Sequence, residues 1–141
     1  MRDSRINDAR AVRFEQHGRD NALTVYPASD PAGIPFPIAR VFTLAGIAAG
    51  GIRGEHAHRE CTQLLVALAG SAVLRLDDGH VQCERPLASP AEGVLVPPGL
   101  WITVEFAGPA TLVAVFCDRP FAESDYLRGY AEFRALKQRS E

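Results

Sequence analysis

The chain has 141 residues, of which 47% are hydrophobic and 23% are charged. This length accommodates one domain rather than two, and the composition supplies a buried core, which excludes a largely disordered chain. Fifteen basic and seventeen acidic residues give a net charge of −2, which argues against a nucleic-acid partner bound through phosphate neutralisation.

The sequence also lacks the features of membrane and secreted proteins. No apolar run approaches the ~20 residues that span a bilayer, and the polar N-terminal residues lack the apolar stretch of a secretion signal. We therefore expect a cytoplasmic protein with no membrane partner. Cys61, Cys83 and Cys117 lie far apart without a Cys-x-x-Cys pair, which predicts reduced, mostly buried thiols; an activated nucleophilic cysteine is the less favoured alternative.

In chain order, the predicted elements are short strands separated by turns. Glycines and prolines, 12 and 10 in number, interrupt the apolar runs, a pattern typical of an all-β sandwich or barrel. We expect an N-terminal arm over 1–21 and one domain over 22–138. The apolar runs predict strands at Ala22–Tyr26, Ile38–Leu44, Leu64–Ala69, Ala72–Leu76, Val81–Pro86, Gly93–Val96, Trp101–Phe106 and Thr111–Cys117.

Local signals predict one hairpin turn and one helix. Asp78-Gly79 lies between two of the predicted strands and suits a tight turn with positive φ angles. At the C-terminal end, Ser124 is a candidate N-cap, and aromatic residues then recur at helical spacing. The sequence therefore predicts a helix over Ser124–Gln138 that packs on the barrel.

The segment from Gly50 to Gly70 contains the clearest functional pattern. Gly50, His56, His58 and Gly70 fit the first motif of the cupin family, which this segment resembles. The acidic residue of that motif is replaced by Gln63, and the histidine that follows the second motif, Pro97-x-Gly99, is replaced by Ile102.

The ligand set expected for a cupin metal is therefore incomplete. A divalent ion in a cupin is held by three histidines and a carboxylate, and an open site needs at least three protein ligands. We expect no metal here. A two-histidine site completed by Glu55, Glu60 or Glu105 is the less favoured alternative.

Without a metal, the paired histidines suit proton transfer. Residues two apart on a strand project from the same face, about 6.6 Å apart, so His56 and His58 should point together. Imidazole titrates near pH 6.5 and therefore accepts or donates a proton near neutrality. The alternative is that both rings are merely hydrogen-bonded barrel residues, although two buried polar rings would each need a partner.

Arg53 is a candidate for binding an anion or a developing enolate through paired hydrogen bonds. Strand alternation places Arg53 on the opposite face from His56, unless Gly54 introduces a bulge between them. A surface salt bridge is the alternative role for this residue.

Several segments together resemble the WxcM-like cupin family of nucleotide-sugar 3,4-ketoisomerases. The resemblance covers about residues 22–136. It implies a single-domain cupin, a double-stranded β-helix or jelly-roll barrel, with a C-terminal α-helix. The segments are Ile34-Pro-Phe-Pro-Ile-Ala-Arg-Val-Phe42, Arg53-Gly-Glu-His-Ala-His58, Gln63-Leu-Leu-Val-Ala-Leu-Ala-Gly70, Leu76-Asp-Asp-Gly79 and Glu123-Ser-Asp-Tyr-Leu-Arg-Gly-Tyr-Ala-Glu-Phe133.

The resemblance also implies an activity. Family members convert dTDP-4-oxo-6-deoxyglucose to a 3-oxo sugar through an enediol, without a metal or other cofactor, and form homodimers that exchange N-terminal strands. His58 is then the carbon base and His56 its partner. The substrate-binding candidates are Arg40, Phe42, Arg53, Gln63 and Trp101, although a single tryptophan in a β protein is more often a core residue.

Two other functions remain open at this stage. Phe42 and Thr43 replace tyrosines common in the family, and Ile102 replaces a polar residue, which favours a non-catalytic sugar-nucleotide-binding cupin as the alternative. A metal-dependent cupin enzyme such as a dioxygenase is disfavoured, because Gln63 and Ile102 are poor metal donors or none.

Overall fold

A computed structural model of the chain describes residues 1–139. Short 3-10 turns lie at Ile6–Asp8, Arg19–Asn21 and Glu123–Asp125, and one helix, α1, covers Tyr130–Arg139. The strands are β1 (Arg10–Arg13), β2 (Gln16–His17), β3 (Leu23–Thr24), β4 (Arg40–Ala45), β5 (Ile52–His58), β6 (Gln63–Ala69), β7 (Ala72–Asp77), β8 (Gln82–Leu87), β9 (Glu92–Val96), β10 (Trp101–Phe106), β11 (Leu112–Cys117) and β12 (Tyr126–Leu127).

Two five-stranded antiparallel sheets enclose the main core. The first sheet has the order β1-β9-β6-β11-β4, and the second has the order β12-β5-β10-β7-β8. Alternate residues of each strand point inward, and full burial of each large apolar side chain contributes about 1.5–3 kcal/mol. This arrangement confirms the predicted all-β class. The buried inward residues include Leu65, Ala67, Leu74, Leu76, Ile102, Val104, Val113 and Val115.

The N-terminal residues cover the outer face of the first sheet. Val12, Phe14, Ile34 and Phe36 pack against Leu64 in a second buried cluster. β1 pairs with β9 of the same chain, so residues before position 22 contribute a strand to the first sheet. The boundary at residue 21 and the exchange of N-terminal strands between subunits stay predictions.

The strand predictions differ from the structure in two ways. The predicted strand Ala22–Tyr26 is reduced to the two-residue β3, and β5 was absent from the apolar runs because its residues are mostly polar. The predicted β7–β8 hairpin is confirmed, but the turn has four residues and only Gly79 has a positive φ. Asp78 instead accepts hydrogen bonds from the backbone N–H groups of His80 and Val81.

The predicted start of the C-terminal helix is wrong. α1 begins at Tyr130, and Tyr126 lies in β12, where it pairs with His58 of β5. The carboxylate of Asp125 accepts hydrogen bonds from residues around His58, and a helix that started at Ser124 would break this pairing. Within residues 1–139, no helix has both the length and the apolar character needed to cross a membrane.

Candidate functional site

A β-bulge in β5 determines which side chains face the interior. Ile102 of β10 lies opposite His56, and Thr103 lies opposite Gly54, so Glu55 is the extra residue without a cross-strand partner. Gly54 has φ +95° and Glu55 has φ +57°, and a Cβ on Gly54 would lie 2.9 Å from the carbonyl oxygen of Ile102. Only glycine fits this close approach without displacing β10.

The bulge places Arg53 and His56 on the same face of the sheet. Arg53 lies opposite Val104, which is buried in the main core, and residues directly opposite each other share a face. The side chain of Arg53 remains exposed at the end of the barrel, where its Nη1 donates to the Ile52 carbonyl at 2.8 Å. The bulge that the sequence allowed is therefore present.

The two histidine rings lie side by side in the interior, as their spacing predicted. The ring centroids of His56 and His58 are 5.0 Å apart and nearly perpendicular. Tyr126 lies against both, with centroids 4.9 Å from His56 and 4.5 Å from His58. β12 brings this tyrosine to the site because Tyr126 is the direct partner of His58 in the strand register.

Asp125 holds His58 in a defined orientation. The Nδ1 of His58 donates to Oδ2 of Asp125 at 2.7 Å, and the two residues are only 4% and 8% exposed. The other oxygen of Asp125 accepts the backbone N–H of Glu60 at 2.7 Å. Burial opposes ionisation of Asp125, but the hydrogen bonds from His58 and Glu60 lower the pKa of this carboxyl group.

Burial favours the neutral form of both rings. Burial, and then the neighbouring His58, lower the pKa of His56 to about 4. Burial also lowers the pKa of His58, although its hydrogen bond to Asp125 acts in the opposite direction. The proton on each neutral ring follows from its Nδ1 partner, which is Asp125 for His58 and the carbonyl of Gly54, at 3.0 Å, for His56.

This assignment of protons gives each ring a lone pair on Nε2. The Nε2 of His58 is buried and makes no hydrogen bond with any of residues 1–139. A buried polar atom without a partner is costly, so such atoms mark positions where a ligand is bound. Each ring therefore offers Nε2 as a proton acceptor to a molecule bound beside the pair.

Arg40 lies beside the histidines, between two aromatic rings. Its Nη2 donates to the hydroxyl of Tyr126 at 3.3 Å and to Sγ of Cys117 at 3.5 Å. Its guanidinium carbon lies 5.4 Å from the ring of Phe42 and 5.5 Å from the ring of Phe121. The structure thus brings the predicted residues Arg40 and Phe42 together near the predicted histidines.

Gln63 lies beside Cys117, and Trp101 lies on the opposite face of the second sheet from His56. Gln63 is buried, and its side-chain Nε2 donates to Sγ of Cys117 at 3.5 Å. Trp101 lies opposite Ala57, on the other face of the second sheet from His56, and packs against Phe133. Trp101 borders an outer groove of about 460 Å³ that contains neither histidine, and its role as a substrate contact stays a prediction.

The donor atoms near the histidines do not suit a cupin metal. Ile102 is buried directly opposite His56 and offers no donor. His58, Cys61 and Asp125 have donor atoms within 4.8 Å of one another, but both oxygens of Asp125 already accept hydrogen bonds, one of them from His58 itself.

The acidic residues considered as replacement ligands are directed elsewhere. Glu60 pairs with Arg119 at 2.9 Å and Glu105 pairs with Arg75 at 3.2 Å, while Glu55 is exposed at the bulge. The residues present therefore do not fit a resident divalent ion.

Sequence reasoning missed four residues of this site. Asp125 and Tyr126 were assigned to a helix, and Cys117 and Phe121 carried no local signal. The segment that contains Asp125 and Tyr126 was part of the family resemblance, which was the one available indication that these residues contribute to function.

Comparison with known proteins is consistent with this geometry. Residues 4–138 match the FdtA family, described as WxcM-like, C-terminal. The TDP-4-oxo-6-deoxy-alpha-D-glucose-3,4-oxoisomerase of Aneurinibacillus thermoaerophilus is 37% identical over 115 residues, which cover 82% of this chain and 83% of that protein.

Solved structures share the fold over nearly the whole chain. QdtA, a sugar 3,4-ketoisomerase from Thermoanaerobacterium thermosaccharolyticum solved in complex with TDP, has a TM-score of 0.89 at 23% identity, covering 96% of this chain and 98% of its own. WlaRA, a TDP-fucose-3,4-ketoisomerase from Campylobacter jejuni, has a TM-score of 0.83 at 24% identity, covering 92% and 96%. These matches confirm the expected single-domain cupin fold.

Proposed function

The chain belongs to the WxcM-like FdtA family, and on this basis we propose that it is a 3,4-ketoisomerase of a dTDP-linked 4-oxo-6-deoxyhexose. The proposal draws on the 37% identical oxoisomerase. The observation that carries it is the buried Nε2 of His58, which has no hydrogen-bond partner in the described part of the chain while Asp125 accepts from Nδ1. A ring held in this way can act as a base towards a bound substrate.

His58 begins the reaction by removing the proton from C3 of the sugar. The electron pair of the C3–H bond forms a C3–C4 double bond, and the carbonyl pair moves onto O4, which gives an enediolate. Asp125 accepts a hydrogen bond from the imidazolium that forms and stabilises its charge. The His58 imidazolium then delivers its proton to C4 as O3 loses its own proton, which regenerates a ketone at C3, and the O3 proton passes through His56 or water to O4 to give the 4-hydroxyl group.

His56 serves as the partner of His58 in the second half of the reaction. Its Nδ1 is engaged by the Gly54 carbonyl, which leaves Nε2 to accept the O3 proton, directly or through water. Neighbouring carbons need neighbouring proton carriers, and the ring centroids are 5.0 Å apart.

Arg40 stabilises the negative charge that develops on the enediolate. Its Nε is buried and makes no hydrogen bond to the residues that the structure describes, so this N–H is available to a substrate oxygen. We propose Phe42 and Arg53 as further substrate contacts, with Arg53 at the open end of the barrel. Gln63 contributes through Cys117, to which it donates a hydrogen bond.

The reaction proceeds without a metal, because the cupin ligand positions hold Gln63 and Ile102 and the nearby carboxylate of Asp125 is engaged by His58 and Glu60. Treatment with a chelator should leave kcat and KM unchanged. A loss of activity that a divalent ion restores would contradict this part of the proposal.

We also propose that the protein acts as a homodimer, with N-terminal strands exchanged between subunits. Within one chain, β1 already has a partner in β9, and exchange would replace this pairing by the same contacts in a second copy. Light scattering on the purified protein measures the mass; a monomeric mass at assay concentrations would contradict the dimer.

A non-catalytic sugar-nucleotide-binding protein is the second candidate. Ile102 lies directly opposite His56, and Phe42 contributes an apolar ring beside Arg40, so the pocket has fewer polar groups than the family pattern suggests. Such a protein would bind the nucleotide sugar but would not move its protons.

Proton exchange distinguishes the two candidates. The protein is incubated with dTDP-4-oxo-6-deoxyglucose in deuterated water, and NMR follows C3 and C4. We expect loss of the C3 proton signal and appearance of the 3-oxo product. His58→Asn should abolish both, whereas His17→Asn, at an exposed histidine paired with Glu15, should not. Exchange at the wild-type rate in His58→Asn would refute the assigned base.

A further inference from the structure

The positive charge of Arg40 has an unusual partner. Among residues 1–139, no carboxylate lies within ion-pairing distance of this guanidinium, and its acceptors are the hydroxyl of Tyr126 and Sγ of Cys117. Phe42 and Phe121 cover it on two sides. A guanidinium that is partly removed from water in this way is favoured by a nearby anion.

The sulfur of Cys117 receives hydrogen bonds from two donors. Arg40 Nη2 and Gln63 Nε2 both donate to it at 3.5 Å, whereas the Cys61 thiol donates to the carbonyl of Thr62 at 3.5 Å. Cys117 is fully buried, so water does not supply these contacts. A neutral thiol is a weak acceptor, whereas a thiolate suits several converging donors.

We infer that Cys117 is ionised in the resting protein and acts as the counterion that positions Arg40 at the reaction site. The role of Arg40 in the reaction rests on the proposed function, but the ionisation of Cys117 does not. The thiolate accepts the Nη2 N–H of Arg40 and leaves its buried Nε, which has no partner among residues 1–139, for a substrate oxygen. Cys117 is a positioning residue, because it acts through Arg40.

The titration behaviour agrees with the geometry. The neighbouring Cys61 thiol, followed by the hydrogen bonds from Arg40 and Gln63, lowers the pKa of Cys117, although burial opposes its ionisation. The neighbouring Cys117 and burial raise the pKa of Cys61, so Cys117 is the member of the pair that ionises. The sequence predicted ordinary buried thiols, because no residue close to Cys117 in the chain indicates an activated cysteine. Arg40, which contacts its sulfur, lies 77 positions away.

Thiolate absorbance tests the ionisation without any turnover. We expect the wild type and Cys83→Ser, a variant in a strand away from the histidines, to lose one thiolate on acidification, with a midpoint below the ~8.5 of an ordinary thiol. Cys117→Ser should lack this step. Arg40→Gln should raise the midpoint by about one unit or more, and Arg53→Gln should not. A wild type that titrates like Cys117→Ser, or an Arg40→Gln midpoint equal to the wild type, would overturn the inference.

A matched pair of substitutions tests the positioning role. Cys117→Asp and Cys117→Asn have the same size but differ in charge, so only the first can pair with Arg40. We expect kcat/KM of the aspartate variant to exceed that of the asparagine variant by about tenfold or more, as one charge-assisted hydrogen bond allows. Equal activities in two folded variants would refute the role of charge. If neither variant folds, the Arg40→Gln titration decides the question.

Discussion

Replacement of Asp125 by asparagine tests the proposed base most directly, because it preserves size and removes only the charge. In the wild type, one carboxylate oxygen accepts the Nδ1 proton of His58 and the other accepts the Glu60 N–H, each at 2.7 Å. Asparagine has one acceptor oxygen. If that oxygen remains on Glu60, the amide NH₂ faces His58 and donates to Nδ1, which moves the ring proton to Nε2 and removes the lone pair that serves as the base.

The size of the effect follows from the burial of this pair. A buried hydrogen bond to a charged group contributes about 1.5–3 kcal/mol, which corresponds to roughly 10- to 150-fold in rate. The wrong tautomer increases this loss, since the same exchange in a Ser-His-Asp triad lowers kcat by about 10⁴-fold. We therefore expect Asp125→Asn to lower kcat by at least about 100-fold, with KM changing less.

The assay is C3 proton exchange in deuterated water, with nitrogen NMR of the His58 ring to report its tautomer. Asp118→Asn is the matched control, because Asp118 also accepts a backbone N–H, that of Thr62 at 3.1 Å, but has no histidine partner. Both variants should lose similar stability, and only Asp125→Asn should lose exchange. Wild-type exchange in Asp125→Asn, or an unchanged His58 tautomer, would refute the orientation of the base.

Three further predictions concern pH and the bulge. Because burial lowers the pKa of both histidines, to about 4 for His56, the acid limb of kcat/KM should lie below pH 6.5; a midpoint at or above 6.5 in the pH profile would contradict neutral, buried rings. Between pH 6.5 and 4 the unfolded chain binds a proton at His56 that the folded chain does not, so the free energy of unfolding should fall on acidification; denaturant titrations should show a smaller fall in His56→Asn. Gly54→Ala should destabilise the fold by roughly 1–3 kcal/mol, because φ is positive and the Cβ would meet Ile102; Gly108→Ala, with open space around it, is the control, and equal unfolding midpoints would exclude the steric argument.

Some features of the site depend on local sequence alone. The spacing of His56 and His58 determines that both rings share a face, because side chains alternate along any strand. The lack of a carboxylate or imidazole metal ligand at Gln63 and Ile102 is likewise a property of residue type, and no fold changes it. Short apolar runs between glycines and prolines indicated the all-β class, because this pattern also depends only on residue type and spacing.

The local sequence was less informative where two structures compete for the same residues. Tyr126, Tyr130 and Phe133 have helical spacing, and the spacing predicted one helix through all three. In the structure, Tyr126 lies in a strand beside His58. Burial of Asp125 against His58 outweighs the local helix propensity of this segment. Only Tyr130 and Phe133 then remain in α1.

By itself, the sequence determined the all-β class, the paired histidines and the missing metal ligands, since each depends on residue identity and the two-residue period of a strand. The tertiary structure decided that Asp125 fixes the His58 tautomer, that Cys117 faces Arg40, and that Trp101 packs on the opposite face of its sheet. These contacts join residues 67 and 77 positions apart, or follow from the register of β10 against β5. The register of the strands, including the shift at the bulge in β5, determines which residues meet. The spacing of neighbouring residues does not encode this register.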